Sequence, residues 1–418
     1  MDGQAGFSLW KIAVPAFGPS LLFGLGEGAI LPVIPLSARN LGASVAAAAL
    51  IVTLIGVGSL LSNIPASVLT ARYGERLAII AAAGLTMAGM LMCVFAPTIW
   101  IFAAGIFLIG AASAVFNLAR QSYFTEAVPV HFRARALSTL GGVMRIGVFA
   151  GPFIGALAIH LMGLAGSYWV GAGAVLVAGA IAWTLPDLEH PPALSGLPAA
   201  APGIRSIMAS HRTLFLTVGI GVLLVSAVRA SRQAVIPLWA ENLGLDATTT
   251  SLIYGLSGAV DMLVFYPAGK VMDRRGRTWV AIPSMLLMGL SLILMPFTHG
   301  AVSLLLVSLL IGFGNGIGSG MIMTLGADYS PSLGRAQFLG IWRFLSDLGS
   351  CGGPALLSGI TALASLAIGI GTAGLLGLAA AAVLWYWIPR STPVHLRRPG
   401  LVPPGAGGQP SGGVPAGQ

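Results

Sequence analysis

Eight charged side chains stand inside long apolar stretches of this 418-residue chain: Glu27, Arg120, Arg145, Arg229, Arg232, Asp261, Arg343 and Asp347. The amides Asn63, Asn117, Gln121, Gln233 and Asn315 accompany them. Only 8% of the chain is charged and 56% is hydrophobic, whereas a soluble domain carries about 25% charged residues. A charge inside such a stretch is costly and is functional by default. These residue types offer three kinds of chemistry: protonation of a carboxylate, ion pairing, and capture of a charged solute by guanidinium groups. No Gly-x-x-x-x-Gly-Lys-Ser/Thr loop occurs, so ATP is not the expected energy source. His131, His160, His190, His211, His299 and His395 lie in loops or at the ends of stretches and form no zinc pattern. Cys93 and Cys351 are placed for neither a disulfide nor a metal and read as small core residues. Neither a cofactor nor an enzymatic centre is expected.

The elements that carry these charges are membrane-length helices. A spanning helix needs about 20 mostly apolar residues, and the chain offers about twelve such runs. They lie near 12–37, 45–69, 77–96, 99–122, 136–160, 166–185, 213–238, 248–270, 278–297, 301–325, 338–361 and 365–388. The runs are long and do not alternate, which favours helices over a barrel; only these two satisfy their backbone in lipid. The expected fold class is therefore an all-α membrane protein. The first run is too long for a signal-peptide core and lacks a cleavage site, so it reads as a retained helix. The net charge is +9, and the basic residues fall in alternate loops. Lys11, Arg72, Arg76, Arg133, Arg135, Lys270, Arg274, Arg275, Arg277, Arg335 and Arg390 share one side, and Arg39 lies on the other. The positive-inside rule then puts both termini in the cytoplasm of a cell-membrane protein. That distribution accounts for the charge without any nucleic-acid partner.

An internal repeat organises the runs. At a constant offset of 202 residues, Ile34-Pro35-Leu36 matches Ile236-Pro237-Leu238, and Asn40-Leu41-Gly42 matches Asn242-Leu243-Gly244. Pro65, Arg72 and Gly74 match Pro267, Arg274 and Gly276, while Gly147, Gly151 and Pro152 match Gly349, Gly353 and Pro354. Two halves of about six helices are expected, spanning 1–185 and 212–388. A Pro- and Ala-rich cytoplasmic linker spans 186–211, and a Pro/Gly-rich tail at 389–418 reads as disordered. Parallel repeats of this kind place a substrate site near the midplane between the halves.

The loop after the eighth run reads Gly269-Lys-Val-Met-Asp273-Arg274-Arg275-Gly276-Arg277. It resembles the Gly-x-x-x-Asp-Arg-x-Gly-Arg loop of the major facilitator superfamily. In the first half the same loop is degraded, with Ala71 where the acid would stand. Gly147, Gly151, Pro152 and Gly155 resemble the Gly-Pro helix of the superfamily's antiporters. Its glycines allow close helix contact and its proline bends the helix; pure packing is the plain alternative. The superfamily's usual arginine in the fourth helix is absent: Gly105 and Ile106 stand in that region. The resemblance implies a monomeric secondary transporter, with the first and seventh helices lining a central cavity and the fifth and eleventh at the interface between halves.

The repeat pairs the intramembrane charges. Glu27 maps onto Arg229 and Arg145 onto Asp347, so equivalent positions carry opposite charges. Glu27 is expected to exchange a proton with Arg229 or Arg232 as its partner, the pair breaking when substrate binds or the conformation changes. A static ion pair is the alternative. Asp261 is either a second proton site or a partner of Arg145. Asn117, Arg120, Gln121, Gln233 and Asn315 are the polar candidates for the cavity wall. The expected function is proton-driven efflux of a small amphipathic compound or metabolite. Two alternatives stand beside it: a proton-coupled uptake permease for a small anionic or zwitterionic solute, and a non-transporting membrane sensor or scaffold.

Overall fold

The computed structural model describes residues 13–127, 130–186, 204–331 and 335–391. Most of the expected linker and nearly all of the expected tail lie outside them. The first half contributes α1 (Ala13–Ile30), α2 (Ile34–Asn40), α3 (Val45–Tyr73), α4 (Glu75–Val94), α5 (Ile99–Ala127), α6 (Val130–Met162) and α7 (Ala165–Ala182). Two short helices, α8 (Ile204–Ser210) and α9 (Arg212–Leu216), follow, so the last part of the expected linker is helical. The second half contributes α10 (Val218–Asn242), α11 (Ala247–Arg275), α12 (Thr278–Leu294), α13 (Ala301–Ile317), α14 (Met321–Tyr329), α15 (Arg335–Leu363) and α16 (Leu366–Ser391). A short 3₁₀ turn, Met295–Phe297, closes α12.

Among the described residues, ten helical segments are long and apolar enough to cross a membrane, and the bent pair α1–α2 counts as an eleventh. The helix α15 is also long enough, but Arg343, Asp347 and a Gly/Ser-rich middle lower its hydropathy. It falls on the expected eleventh run, so the described residues support eleven of the twelve expected spans by length and hydropathy and the remaining one by position alone. The first run is not one straight helix as expected. It bends by 42° between α1 and α2, where Pro32 withdraws a backbone donor. The tenth run also breaks, at Gly318-Ser319-Gly320, where Gly320 takes a left-handed φ of 79° that only glycine adopts cheaply.

Local devices recur at the repeat offset. Ser44 caps α3 by accepting from the Ala47 amide at 3.1 Å, and Asp246 caps α11 by accepting from the Thr249 amide at 2.9 Å. Such side chains satisfy amides that have no partner within the helix. Gly147 and Gly151 of α6 press on the carbonyls of Leu21 and Leu25 in α1. Gly349 and Gly353 of α15 press on those of Leu223 and Ala227 in α10, the equivalent residues. The absence of a Cβ lets the backbones meet, the packing mode of membrane helices that lack a hydrophobic drive between them.

Within 13–182, α1 packs on α6 and α7, α3 on α5, and α4 on α5 and α7. Within 218–391, α10 packs on α15 and α16, α11 on α13, and α12 on α13 and α16. Across the two sets, α3 meets α15, α6 meets α11, and α10 touches α2 and α3. One face of the bundle carries Arg72, Arg76, Arg274, Arg275 and Arg277 and is termed the basic face; the opposite face carries Arg39 and Glu241.

Candidate functional site

Two cavity lobes lie between the sets of helices, one on each side of the same stretch of α10. The first, about 430 Å³, is enclosed by α5, α6 and the bend after α1 on one side and by α10, α11 and α13 on the other. It is lined by Arg120, Arg145, Arg229, Arg232 and Asp261, with Met144, Phe149, Pro152, Tyr254 and Met262 as its apolar wall. The second, about 520 Å³, lies among α1, α3, α5, α10, α14 and α15. Glu27, Ser113, Asn117, Ser346 and Asp347 line it. Arg229, Arg232, Gln233 and Asn315 face both lobes. The lobes differ in charge because the repeat inverts it: Arg145 stands in the first and its equivalent Asp347 in the second.

The ion pairs differ from those expected. Glu27 pairs with neither Arg229 nor Arg232. Its Oε1 accepts from the Ser113 hydroxyl at 2.6 Å, and Arg120 is the guanidinium whose field reaches it. Arg229 donates through Nη2 to the backbone carbonyl of Asn315 at 3.0 Å. These two contacts are repeat equivalents: 27 to 113 and 229 to 315 both span 86 residues. Asn315 lies in the last turn of α13, whose carbonyl end carries partial negative charge. The helix break at Gly318 leaves that end open to the guanidinium. Arg232 reaches Asp261 at 3.4 Å, and the Asn315 amide donates to the same carboxylate oxygen at 2.5 Å. Asp261 is thus the partner of Arg232 rather than of Arg145. Arg145 lies 5.0 Å from the Phe265 ring centroid of α11, and Asp347 sits 3.8 Å from Arg343 one turn away.

Of the other polar candidates, Asn117 and Arg120 line the lobes. Gln121 is exposed and lines neither. Gly147 and Gly151 are spent on α1, Gly155 approaches Ala29 and Ser167, and Pro152 lines the first lobe against Gly255 of α11. Ser113, Ser346, Ser226 and Tyr254 were not singled out from sequence. Ser113 was accessible to it, because it is the repeat equivalent of the candidate Asn315. The Ser226–Ser346 hydroxyl pair, at 2.8 Å, ties α10 to α15.

In the loop signature, Gly269 and Asp273 lie on the last turns of α11, and Gly276 caps that helix at a φ of 103°. Arg274 is exposed. Arg277 grips Asp328 of α14 with two bonds of 2.7 and 3.3 Å and donates to the Met272 carbonyl at 3.1 Å. Its repeat equivalent is Glu75, which is buried and accepts from the Ser122 hydroxyl of α5 at 2.8 Å. On the opposite face, two polar contacts among the described residues join the helix sets. Arg39 Nε meets Glu241 at 3.0 Å, and the Ser358 hydroxyl donates to the Ala46 carbonyl at 2.7 Å. Arg39 and Glu241 are themselves 202 residues apart, so the repeat's own equivalents touch on its axis.

Comparison with known proteins gives a consistent result. A model of the Major Facilitator Superfamily matches residues 17–354, and a second match covers 218–408. The chain is 28% identical over 377 residues to an uncharacterized MFS-type transporter, YdeG, of Bacillus subtilis (strain 168), covering 85% of this chain and 87% of the relative. It is 24% identical over 366 residues to the multidrug resistance protein MdtL of Escherichia coli O9:H4 (strain HS), covering 85% and 93%. The crystal structure of a D-xylose-proton symporter superposes with a TM-score of 0.69 at 16% identity, over 92% of this chain and 98% of that one.

Proposed function

The chain belongs to the major facilitator superfamily and is a multi-pass membrane transporter of a small molecule, not an enzyme; we propose that it exports an amphipathic compound in exchange for protons. The basic face is read as cytoplasmic by the positive-inside rule. The halves, 1–185 and 212–388, rock about the central lobes so that each face opens in turn, and the unit acts as a monomer. Efflux is favoured by the likeness to a protein named for multidrug resistance.

The observation that carries proton coupling is the setting of Glu27. It lies in a cavity wall on α1 and is held by a hydroxyl. A serine hydroxyl can donate to a carboxylate or accept from a carboxylic acid. Glu27 can therefore gain or lose a proton without losing its hydrogen-bond partner, and the change in its charge is felt by Arg120. Arg232, which faces the same lobe as Glu27, is neutralised by Asp261.

The test is accumulation of dyes and drugs in pump-deficient cells expressing the wild type or Glu27→Gln, with and without a protonophore. Lower accumulation in the wild type, abolished by both the protonophore and the substitution, is expected. A Glu27→Gln protein that keeps full protonophore-sensitive export overturns the assignment. The excess of arginine in the first lobe favours a second reading, uptake of a small anion together with protons. The sign of flux in right-side-out vesicles separates the two, and ligand binding without flux would indicate a sensor.

A further inference from the structure

We propose that the first lobe binds the anionic head of an amphipathic small molecule, with Arg145 of one half and Arg229 of the other as its ligands. This deepens the transport reading and rests on it for the consequence of binding, though not for binding itself. Four guanidinium groups line this lobe against one carboxylate. Asp261 is taken by Arg232, and the field of Arg120 falls on Glu27 in the neighbouring lobe. That leaves two cations without a hydrogen-bonded carboxylate: Arg229, which only shares the field of Asp261 with Arg232, and Arg145. Arg229 has a single neutral acceptor, the Asn315 carbonyl, and its Nε is buried without a partner. Arg145 rests against the Phe265 ring and has no carboxylate partner among the described residues.

An excess of guanidinium groups over carboxylates in a membrane-buried cavity is costly. An incoming carboxylate, phosphate or sulfonate offsets that cost and satisfies the open guanidinium donors. Arginine suits such a group because its planar fork makes paired, charge-assisted bonds to two oxygens. The rest of the lobe defines the remainder of the ligand. Met144, Val148, Phe149 and Met262 offer apolar and aromatic contact, and about 430 Å³ lies within the roughly 300–1,000 Å³ of small-molecule sites. The second lobe shares Arg229 but adds Glu27 and Asp347, which repel an anion. Because the two ligands come from opposite halves, the bound anion draws together α6 and α10, elements that move relative to one another in alternating access.

The test uses the full chain purified into phosphatidylcholine nanodiscs, with three matched probes: naphthalene-1-acetate, its neutral amide, and 1-naphthylethylammonium. Calorimetry and the thermal midpoint report binding. The acetate is expected to bind at least about tenfold more tightly than the amide, the worth of one charge-assisted contact, and the ammonium not to bind. Arg145→Gln should abolish the preference for acetate over amide, and Arg145→Lys, which keeps the charge, should retain most of it. Loss of the preference in both variants together with a collapsed thermal midpoint reports misfolding, and the three-probe ranking in the wild type then decides alone. Equal binding of all three probes, preference for the ammonium, an unchanged preference in Arg145→Gln, or no binding of the acetate at millimolar concentration overturns the proposal. The experiment is repeated in phosphatidylglycerol nanodiscs. If that lipid abolishes acetate binding, the occupant is a lipid headgroup and the small-molecule assignment fails. Anion binding without any flux defeats the transport reading alone, while flux of the ammonium without anion preference defeats this one alone.

Discussion

Removing Glu241 should loosen the opposite face. Arg39 and Glu241 close that face at 3.0 Å, and each side chain is 33% exposed. Ion pairs in such partly exposed settings are worth about 0.2–1 kcal/mol. The pair joins the two halves on the repeat axis, so it exists only while this face is shut, and its whole value biases that state. Losing about 0.5–1 kcal/mol shifts the balance toward the open state by about two- to fivefold. A native thiol can read the change. Cys351 of α15 lies against Gly56 of α3 across the halves, and a Cβ placed on Gly56 would come within 3.0 Å of its sulfur. Opening separates α3 from α15 and uncovers it. In a Cys93→Ser background, a membrane-impermeant methanethiosulfonate applied from the Arg39 side should modify Cys351 about two- to fivefold faster in Glu241→Ala. Arg39→Ala should match it, and the double variant should be no faster than either single, because one interaction is lost in all three. Unchanged rates, or two single effects that add, would refute a gate built on this pair.

Gly151→Ala should lower the thermal midpoint in detergent by the equivalent of about 1–3 kcal/mol, because its Cβ would meet backbone atoms of Leu25 and Ala29. Gly173→Ala on α7, where nothing lies within 4 Å, should leave the midpoint unchanged or raise it; equal losses in both would defeat the close-packing account. Removing the α11 cap with Asp246→Ala should cost about 1 kcal/mol at neutral pH. The Thr249 hydroxyl, and then its amide, hold the Asp246 carboxyl below the usual carboxylate range. Its contribution is therefore complete above about pH 4 and fades as pH falls through the lowered value, so wild type and variant should converge in acid. Ser44→Ala, at the equivalent cap of α3, should show a loss independent of pH. Arg277→Ala leaves the Asp328 carboxylate, 17% exposed, without its paired donor. It should cost about 1–3 kcal/mol, less than the 3–5 kcal/mol of a fully buried pair, and Lys should recover only part because it lacks the fork. An Arg277→Ala midpoint equal to wild type would remove α14 anchoring from the role of this loop.

The fold was legible because its determinants are additive along the chain. Run length and hydropathy reveal the spans, and one register of Pro, Gly and Asn residues reveals the repeat. The two breaks were legible in principle. Pro32 has no equivalent proline in α10, where Ala234 stands, and Gly318 and Gly320 flank Ser319. The bend and the glycine break follow from those local differences. The partners of the buried charges were not legible. Which groups meet depends on the rotation of each helix about its axis, and an apolar run that faces lipid on one side and helices on the other encodes that rotation weakly. Glu27 and Arg229 were expected to pair because they are equivalent and opposite in charge. In the structure equivalence instead means the same local geometry in separate halves, each bonded to its own partner 86 residues on.

That inversion has a consequence for how a two-fold scaffold becomes directional. A strictly symmetric pair of halves would make two identical lobes, and a solute could not distinguish them. Here the backbone contacts are conserved between halves: Gly147 with Leu21 and Gly349 with Leu223, Ser44 with Ala47 and Asp246 with Thr249. The charges at the functional level are exchanged, Glu27 for Arg229 and Arg145 for Asp347. Packing energy is thus symmetric while the electrostatic field is not. One lobe collects guanidinium groups and the other carboxylates, and α10 presents Arg229 and Arg232 to both. A charge entering either lobe changes the field felt by the same two arginines. On the proposed mechanism, proton uptake in one lobe and anion release from the other would act on a common element, and coupling between them would require no chain of intermediaries across the protein.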